Sequence, residues 1–249
     1  MTKNIILLLL LINISTLTSL DSTSIPFDVT QSFDENNHEF TFSNDAQESG
    51  FFLIAIDAKN RQRYEYQCQG SGKQSGSTST NSYFIIKAQP GQCSINVYST
   101  SSLYKTEGTI MIHSFAKVIS VELNKFYGLS KNIHFTEKFP SYAFSVSNLE
   151  KDIETTLTYG ASSVTIEDKT FILKNPFRIC QGNDCKENIK TFKFTKGQEY
   201  KIEVLPEELN TGSRVAYYMN SFSFMLNSGR NLSLMNQLIY LILILLLLC

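Results

Sequence analysis

Tyr142-Ala143-Phe144-Ser145-Val146-Ser147 alternates large and small side chains at every step. A strand sends successive side chains to opposite faces, so Tyr142, Phe144 and Val146 share one face while Ala143, Ser145 and Ser147 share the other. The same period recurs outward in both directions. Phe40 and Phe42 alternate with Glu39, Thr41 and Ser43, and Phe192 and Phe194 with Thr191, Lys193 and Thr195. Tyr200, Ile202 and Val204 flank Lys201 and Glu203, and Phe222, Phe224 and Leu226 close the series. Turn pairs punctuate these runs at Pro90-Gly91, Lys196-Gly197 and Thr211-Gly212, and no helical period appears. The pattern predicts an all-β, antiparallel sandwich of jelly-roll or Ig-like type with an aromatic core.

Short matches repeat in a fixed order. Phe40-Thr41-Phe42-Ser43-Asn44 resembles Phe144-Ser145-Val146-Ser147-Asn148, and Cys68-Gln69-Gly70 matches Cys180-Gln181-Gly182. Gly91-Gln92 with Ile95-Asn96-Val97 parallels Gly197-Gln198 with Ile202-Glu203-Val204, and Ile110-Met111-Ile112 falls where Phe222-Ser223-Phe224 does. Order kept over four matches predicts two tandem domains, residues 25–115 and 117–226, each long enough for one core. Val118–Leu123 is the expected first strand of the second. Between the matches, Gly70–Asn81 is a Gly/Ser/Thr-rich loop expected to be exposed and mobile.

Leucine is distributed in the opposite way to the aromatics. Sixteen of 26 leucines lie in Met1–Leu20 and Leu232–Cys249, whereas all 18 Phe and 11 of 12 Tyr lie between. Lys3 followed by the apolar run Ile5–Ile14 and small residues Ser15, Thr16, Thr18 and Ser19 reads as a signal peptide over 1–19, too short for a spanning helix. At the other end Asn227-Ser228-Gly229 is a small triplet, Arg230–Gln237 a polar-leaning spacer, and Leu238–Cys249 an apolar tail. That order is the pattern of a GPI-attachment signal over 227–249, with Asn227 the preferred lipid-bearing residue and Ser228 the alternative. A short transmembrane tail is the other reading. Both terminal segments are expected to be hydrophobic helical signals, and both readings place the body at the extracellular face of the cell membrane.

Of the five cysteines, Cys249 belongs to the tail, leaving Cys68, Cys93, Cys180 and Cys185. An even number in an oxidising compartment points to disulfides, and the repeat assigns each pair to its own domain: Cys68–Cys93 and Cys180–Cys185. The four residues between Cys180 and Cys185 fit neither a redox CxxC nor the usual zinc spacing.

Candidate chemistry is sparse. Trimming Lys3 and Arg230 from 22 basic residues against 23 acidic leaves a net charge of −3 without a basic run, so nucleic acid is not an expected partner. Phosphate-loop, dinucleotide, H-E-x-x-H and G-x-S-x-G motifs are lacking, and no cofactor is expected. His38, His113 and His134 have no paired-ligand spacing, which leaves a metal site undetermined. Asp34–Glu39, Asn44–Glu48 and Asn148–Asp152 carry oxygens of the kind calcium takes, but in no EF-hand spacing. Tyr64, Tyr66, Tyr83, Tyr98 and Tyr104 are possible recognition tyrosines. Tyr217 and Tyr218 are the foremost pair, because neighbours on a strand face opposite ways and only one is expected to be buried. N-glycan sequons occur only at Asn13-Ile14-Ser15 and Asn231-Leu232-Ser233, outside the body; Ser71–Thr80 is a candidate for O-linked sugar.

Taken together, an F-x-F/V strand, a polar excursion, a G-Q…I-x-V strand and a last F-x-F strand resemble the pre-peptidase C-terminal type of β-sandwich. That resemblance implies a non-catalytic module of secreted and surface proteins, and it transfers no site residues. The expected function is adhesion or recognition of an extracellular protein or glycan by a membrane-tethered body. A surface-anchored hydrolase or its accessory domain, and a structural cell-coat protein, are the alternatives.

Overall fold

The computed structural model describes residues 23–24, 28–78, 81–99, 101, 103–160 and 163–228. The expected signal peptide and the tail beyond Ser228 lie outside the described residues. Within them the chain is all-β, built from 24 strands with no helix. It divides into two compact units.

The first unit comprises residues up to Gly50, Ile54–Ser82 and Lys87–His113. Its five-stranded sheet runs in the spatial order Thr23–Ser24, Glu39–Asn44, Gly91–Ser99, Gln62–Cys68, Gln74–Ser77. Phe40, Phe42, Cys93, Ile95 and Val97 are buried on its inner face, as the alternation predicts. A four-stranded sheet has the order Gln31–Phe33, Gly108–Ser114, Gly50–Ala58, Asn81–Ala88. The expected mobile loop after Gly70 instead forms the edge strand Gln74–Ser77, paired with Arg63–Tyr66. Ladder hydrogen bonds come from the backbone, so a polar, Gly-bearing segment serves as an edge that discourages further pairing.

The second unit holds Ser114 onward together with Phe51–Leu53 and Tyr83–Ile86, so it takes two short segments that the sequence division had placed in residues 25–115. Its five-stranded sheet has the order Val118–Ser120, Tyr142–Val146, Tyr200–Val204, Phe177–Gln181, Asp184–Glu187. This is the strand order of the first unit's sheet. In both, the first strand runs parallel to its neighbour while the others pair antiparallel, a departure from the wholly antiparallel expectation. Short ladders complete the unit: Phe126–Leu129 and Thr158–Tyr159 flank Phe222–Met225, and Ile153–Thr156 pairs with Thr191–Phe194. Ile133–Phe135 and Glu207–Asn210 flank Val215–Met219, and Ser163–Ile166 forms a hairpin with Lys169–Ile172.

Aromatic rings fill this core. Phe144 lies 5.0 Å from Phe224, 5.6 Å from Tyr127 and 6.0 Å from Phe222, mostly edge to face, the arrangement ring quadrupoles prefer. Phe192, Phe194 and Tyr200 form a second triplet at 4.9–5.5 Å.

Candidate functional site

Both disulfides form as the repeat assigned them, Cys68–Cys93 and Cys180–Cys185. Each joins directly opposed residues of adjacent strands. Their surroundings differ because of register. In the first unit Phe40, Ile95 and Tyr66 stand in one row, and Cys68 with Cys93 lies two residues along, on the same inner face. In the second unit the corresponding row is Phe144, Ile202 and Ile179, and Cys180 immediately follows Ile179, on the outer face opposite Lys201. The ladder therefore aligns Cys180 with Gln67, one residue away from the sequence match. A one-residue slip turns every side chain to the other face. Gly70 and Gly182 nevertheless both take left-handed backbone (φ 77° and 57°), so the glycine of each match serves a turn.

The outer faces of the two five-stranded sheets carry polar networks. In the first unit Glu65 accepts hydrogen bonds from Tyr98 Oη (2.9 Å) and pairs with Lys73 (2.5 Å); these contacts, Lys73 first, hold its carboxyl below the ordinary range. Asn96 Nδ2 donates to Glu39 Oε1 at 3.1 Å. In the second unit Glu203 is only 5% exposed, yet it receives Arg178 Nη2 at 2.6 Å, Lys201 Nζ at 2.8 Å and Ser141 Oγ at 3.2 Å. Burial pushes the Glu203 carboxyl up, but the hydrogen bonds and charges of Lys201 and Arg178 outweigh it and hold the group below 4.5. A folded value below the unfolded one adds stability that is present above the unfolded value and lost as pH falls through the folded one. Unfolding free energy is therefore expected to fall on acidification below pH 4.5, with Glu203 contributing. Glu203→Gln should lower stability at neutral pH by about 1–3 kcal/mol and flatten that acid slope. Urea unfolding across a pH series checks this, and an unchanged slope would refute the assignment.

Of the foremost pair only Tyr218 is buried; Tyr217 is partly buried, as an ordinary strand tyrosine is, and not the exposed contact it was a candidate for. Tyr218 is 6% exposed, in a small cluster with Leu173 and Leu209 against Val164, Ile166 and Phe171. Tyr217, half-buried, packs on the unit's main core. The hairpin Ser163–Ile172 supplies the second apolar surface, so both faces of Val215–Met219 are covered. Burial raises the Tyr217 phenol, and the Glu208 carboxylate opposite adds to the effect.

Tyr218 does line a cleft of about 410 Å³. Its lining joins the apolar Leu173, Leu205 and Tyr218 to Glu187, Glu207, Glu208 and Lys174; the Glu208 carboxylate itself is engaged with Tyr217 on the other face of the ladder, and Glu187 lies 3.8 Å from Arg178 Nη1. The wall is fixed by backbone: Lys174 N donates to Glu207 Oε2 (3.1 Å), Asn175 Nδ2 to Ile189 O (3.0 Å) and Leu205 N to Pro176 O (2.9 Å). These residues come together only through pairing of Phe177–Gln181 with Asp184–Glu187 and of Glu207–Asn210 with Val215–Met219, so no local sequence signal marked them.

The remaining candidates are taken up by the fold. Asp34 Oδ1 accepts from Asn36 N and Asn37 N at 2.8 and 2.9 Å, an Asx turn whose bonds hold its carboxyl low. Asn44 Nδ2 ties Glu48 O and Ala88 O, and Asp152 takes Lys196 N and Lys193 Nζ. His113 is fully buried with Nδ1 2.5 Å from Asp28 Oδ1, while His134 is exposed on the strand opposite Tyr218. Among the described residues no three His, Cys, Asp or Glu side chains gather in a metal-holding group. Tyr64 and Tyr66 are half-buried, and Tyr104 is exposed.

No family model matches the chain, and no curated protein matches it. Among solved structures it is similar to the pre-peptidase C-terminal domain of a collagenase from Bacillus anthracis, at 9% identity and TM-score 0.31, over 37% of this chain and 94% of that one. It is also similar to the CUB1-EGF-CUB2 region of human MASP-1/3 (10% identity, TM-score 0.23, 84% of this chain and 96% of that one). A third likeness is to PNGase F, a glycosylasparaginase from Flavobacterium meningosepticum (10% identity, TM-score 0.22, 80% and 96%).

Proposed function

We propose that the chain is a non-catalytic recognition protein, tethered at the extracellular face of the membrane by lipid at Asn227 or Ser228. The body is read as two tandem β-sandwich copies, a reading supported by the shared strand order of the two five-stranded sheets. Two cross-strand disulfides fit a secreted frame. The observation that carries recognition is the cleft beside Tyr218, where apolar side chains meet Glu187, Glu207 and one lysine on a hydrogen-bonded wall. Such a mixture of apolar contact and a few oriented polar groups is what ligand sites share. Its net charge favours a protein partner that inserts a basic side chain.

Two measurements test this reading. Phosphatidylinositol-specific phospholipase should release the protein from intact cells, and retention in a host whose GPI anchors are sensitive to the enzyme would remove the lipid tether. A multivalent body, residues 20–227, should capture a partner whose binding weakens with salt, because weak sites gain strength through avidity. Glu187→Lys should then reduce affinity about tenfold, roughly 1.4 kcal/mol. Binding indifferent both to salt and to Glu187→Lys would exclude the cleft, and binding confined to a glycan array would replace the protein partner with a sugar.

A further inference from the structure

The described chain ends in a clamp. Ser228 N donates to Asn124 Oδ1 at 2.9 Å, and Asn124 Nδ2 donates to Ser228 Oγ at 3.0 Å. Asn124 N donates to Leu226 O at 2.8 Å, and Lys151 Nζ to Ser228 O. Asn124 makes this turn in left-handed backbone (φ 63°), a conformation asparagine tolerates better than most residues. The point from which residue 229 departs is thus fixed against Leu123–Phe126.

That point is bordered by exposed apolar side chains. Phe126 and Met225 are directly opposed in the antiparallel ladder and share its outer face, while Tyr127, Phe222 and Phe224 turn inward. Phe126 is 68% exposed, and Met225 and Leu123 are 38% and 39% exposed. A single exposed apolar residue needs no explanation, but here three flank the chain exit. Each residue spans at most about 3.6 Å, so Met225 lies within roughly 11 Å of Ser228, the residue to which the anchor's glycan would be joined. A tether that holds this exit at the bilayer brings the patch to the same depth.

We infer that Leu123, Phe126 and Met225 form a membrane-contact surface that seats the second unit on the lipid interface. The inference rests on the proposed tether being carried at Ser228, because attachment at Asn227 would remove Ser228 and with it three of the four clamp bonds. The occupant is a bilayer surface rather than a soluble partner, because the patch, at Met225, lies within three residues of the anchor-bearing Ser228, whose exit is pinned. Partial burial of apolar side chains at the headgroup boundary adds orientation to an attachment that the tether alone would leave free to swing. Lys125 is already paired with Glu122 at 2.8 Å, so zwitterionic lipid suffices.

The chain contains no tryptophan, so Phe126→Trp introduces a unique reporter. The full chain, made in a host that processes secreted proteins, is extracted in detergent and reconstituted into phosphatidylcholine vesicles with brominated acyl chains. Flotation reports the tether independently of the reporter. Trp at 126 should emit at shorter wavelength and lose at least half its intensity to the bromolipid. Trp in Leu103→Trp, at a site 87% exposed in the first unit, should do neither. Met225→Trp repeats the test should the first variant fold poorly. Flotation without quenching overturns the seat and leaves the tether standing; absence of flotation overturns both. Shielding that follows protein concentration instead of lipid assigns the patch to a second copy and likewise overturns the inference.

Discussion

Phe144→Ala should lower the unfolding free energy by about 3–5 kcal/mol, the largest loss expected of any single change here. The ring is 1% exposed and sits among Tyr127, Tyr142, Phe222 and Phe224, at centroid distances of 5.0–6.0 Å. Truncation removes its transfer free energy and leaves a space that neighbours fixed by three separate ladders cannot fill. It also breaks edge-to-face pairs, each of which adds about 0.5–1.5 kcal/mol beyond area. Phe144→Leu should cost distinctly less, because most of the volume is kept. Denaturant unfolding of both variants provides the comparison. A loss below about 1 kcal/mol for the alanine variant would mean that this aromatic cluster is not the centre of the core.

The second large effect is expected from the first unit's disulfide. Cys68 and Cys93 are 25 residues apart and Cys180 and Cys185 only five. Loop-closure entropy makes the longer link the stronger restraint on the unfolded chain, about 3.5 kcal/mol against about 2 kcal/mol. Replacing Cys68 and Cys93 together by Ala should therefore cost more than the same change at Cys180 and Cys185. Location widens the difference. Cys68 and Cys93 are buried on the inner face, whereas Cys185 is exposed, so losing the first pair also leaves space in a packed interior. Unfolding of the two double variants under non-reducing conditions measures both costs. Equal losses, or a larger loss at Cys180 and Cys185, would contradict this ranking.

The contrast between the disulfides also shows where reading the chain by itself succeeds. The pairing was legible because the repeat gave each domain two cysteines. The facing was not. Cys68-Gln69-Gly70 and Cys180-Gln181-Gly182 are identical in sequence, yet opposition to Cys93 in one ladder and to Lys201 in the other turns the first cysteine inward and the second outward. The tyrosines teach the same point. Alternation correctly sends Tyr217 and Tyr218 to opposite sides, but whether a side is wet depends on what packs there. The hairpin that buries Tyr218 lies more than forty residues earlier, in a stretch with no apolar signal strong enough to mark it as a cover.

The candidate site was the least legible part. Glu187 and Glu207 look in sequence like ordinary solvated strand residues, and only two independent ladders bring them into one lining with Tyr218. Similarly, nothing in Asn124-Lys125-Phe126 announces that it clamps a residue 104 positions away.

Period-two alternation of Phe and Tyr, the turn residues between runs and the four cysteines of the body by themselves determined an all-β body with an aromatic core and two disulfides. These are local properties, because a side chain's face along its own strand follows from backbone geometry alone. Register, the covering of each face, the grouping of Phe51–Leu53 and Tyr83–Ile86 with the second unit, the lining of the cleft and the pinned exit at Ser228 were decided only by tertiary structure. They depend on which strands meet and at what offset, and a ladder hydrogen bond is the same whichever side chains flank it.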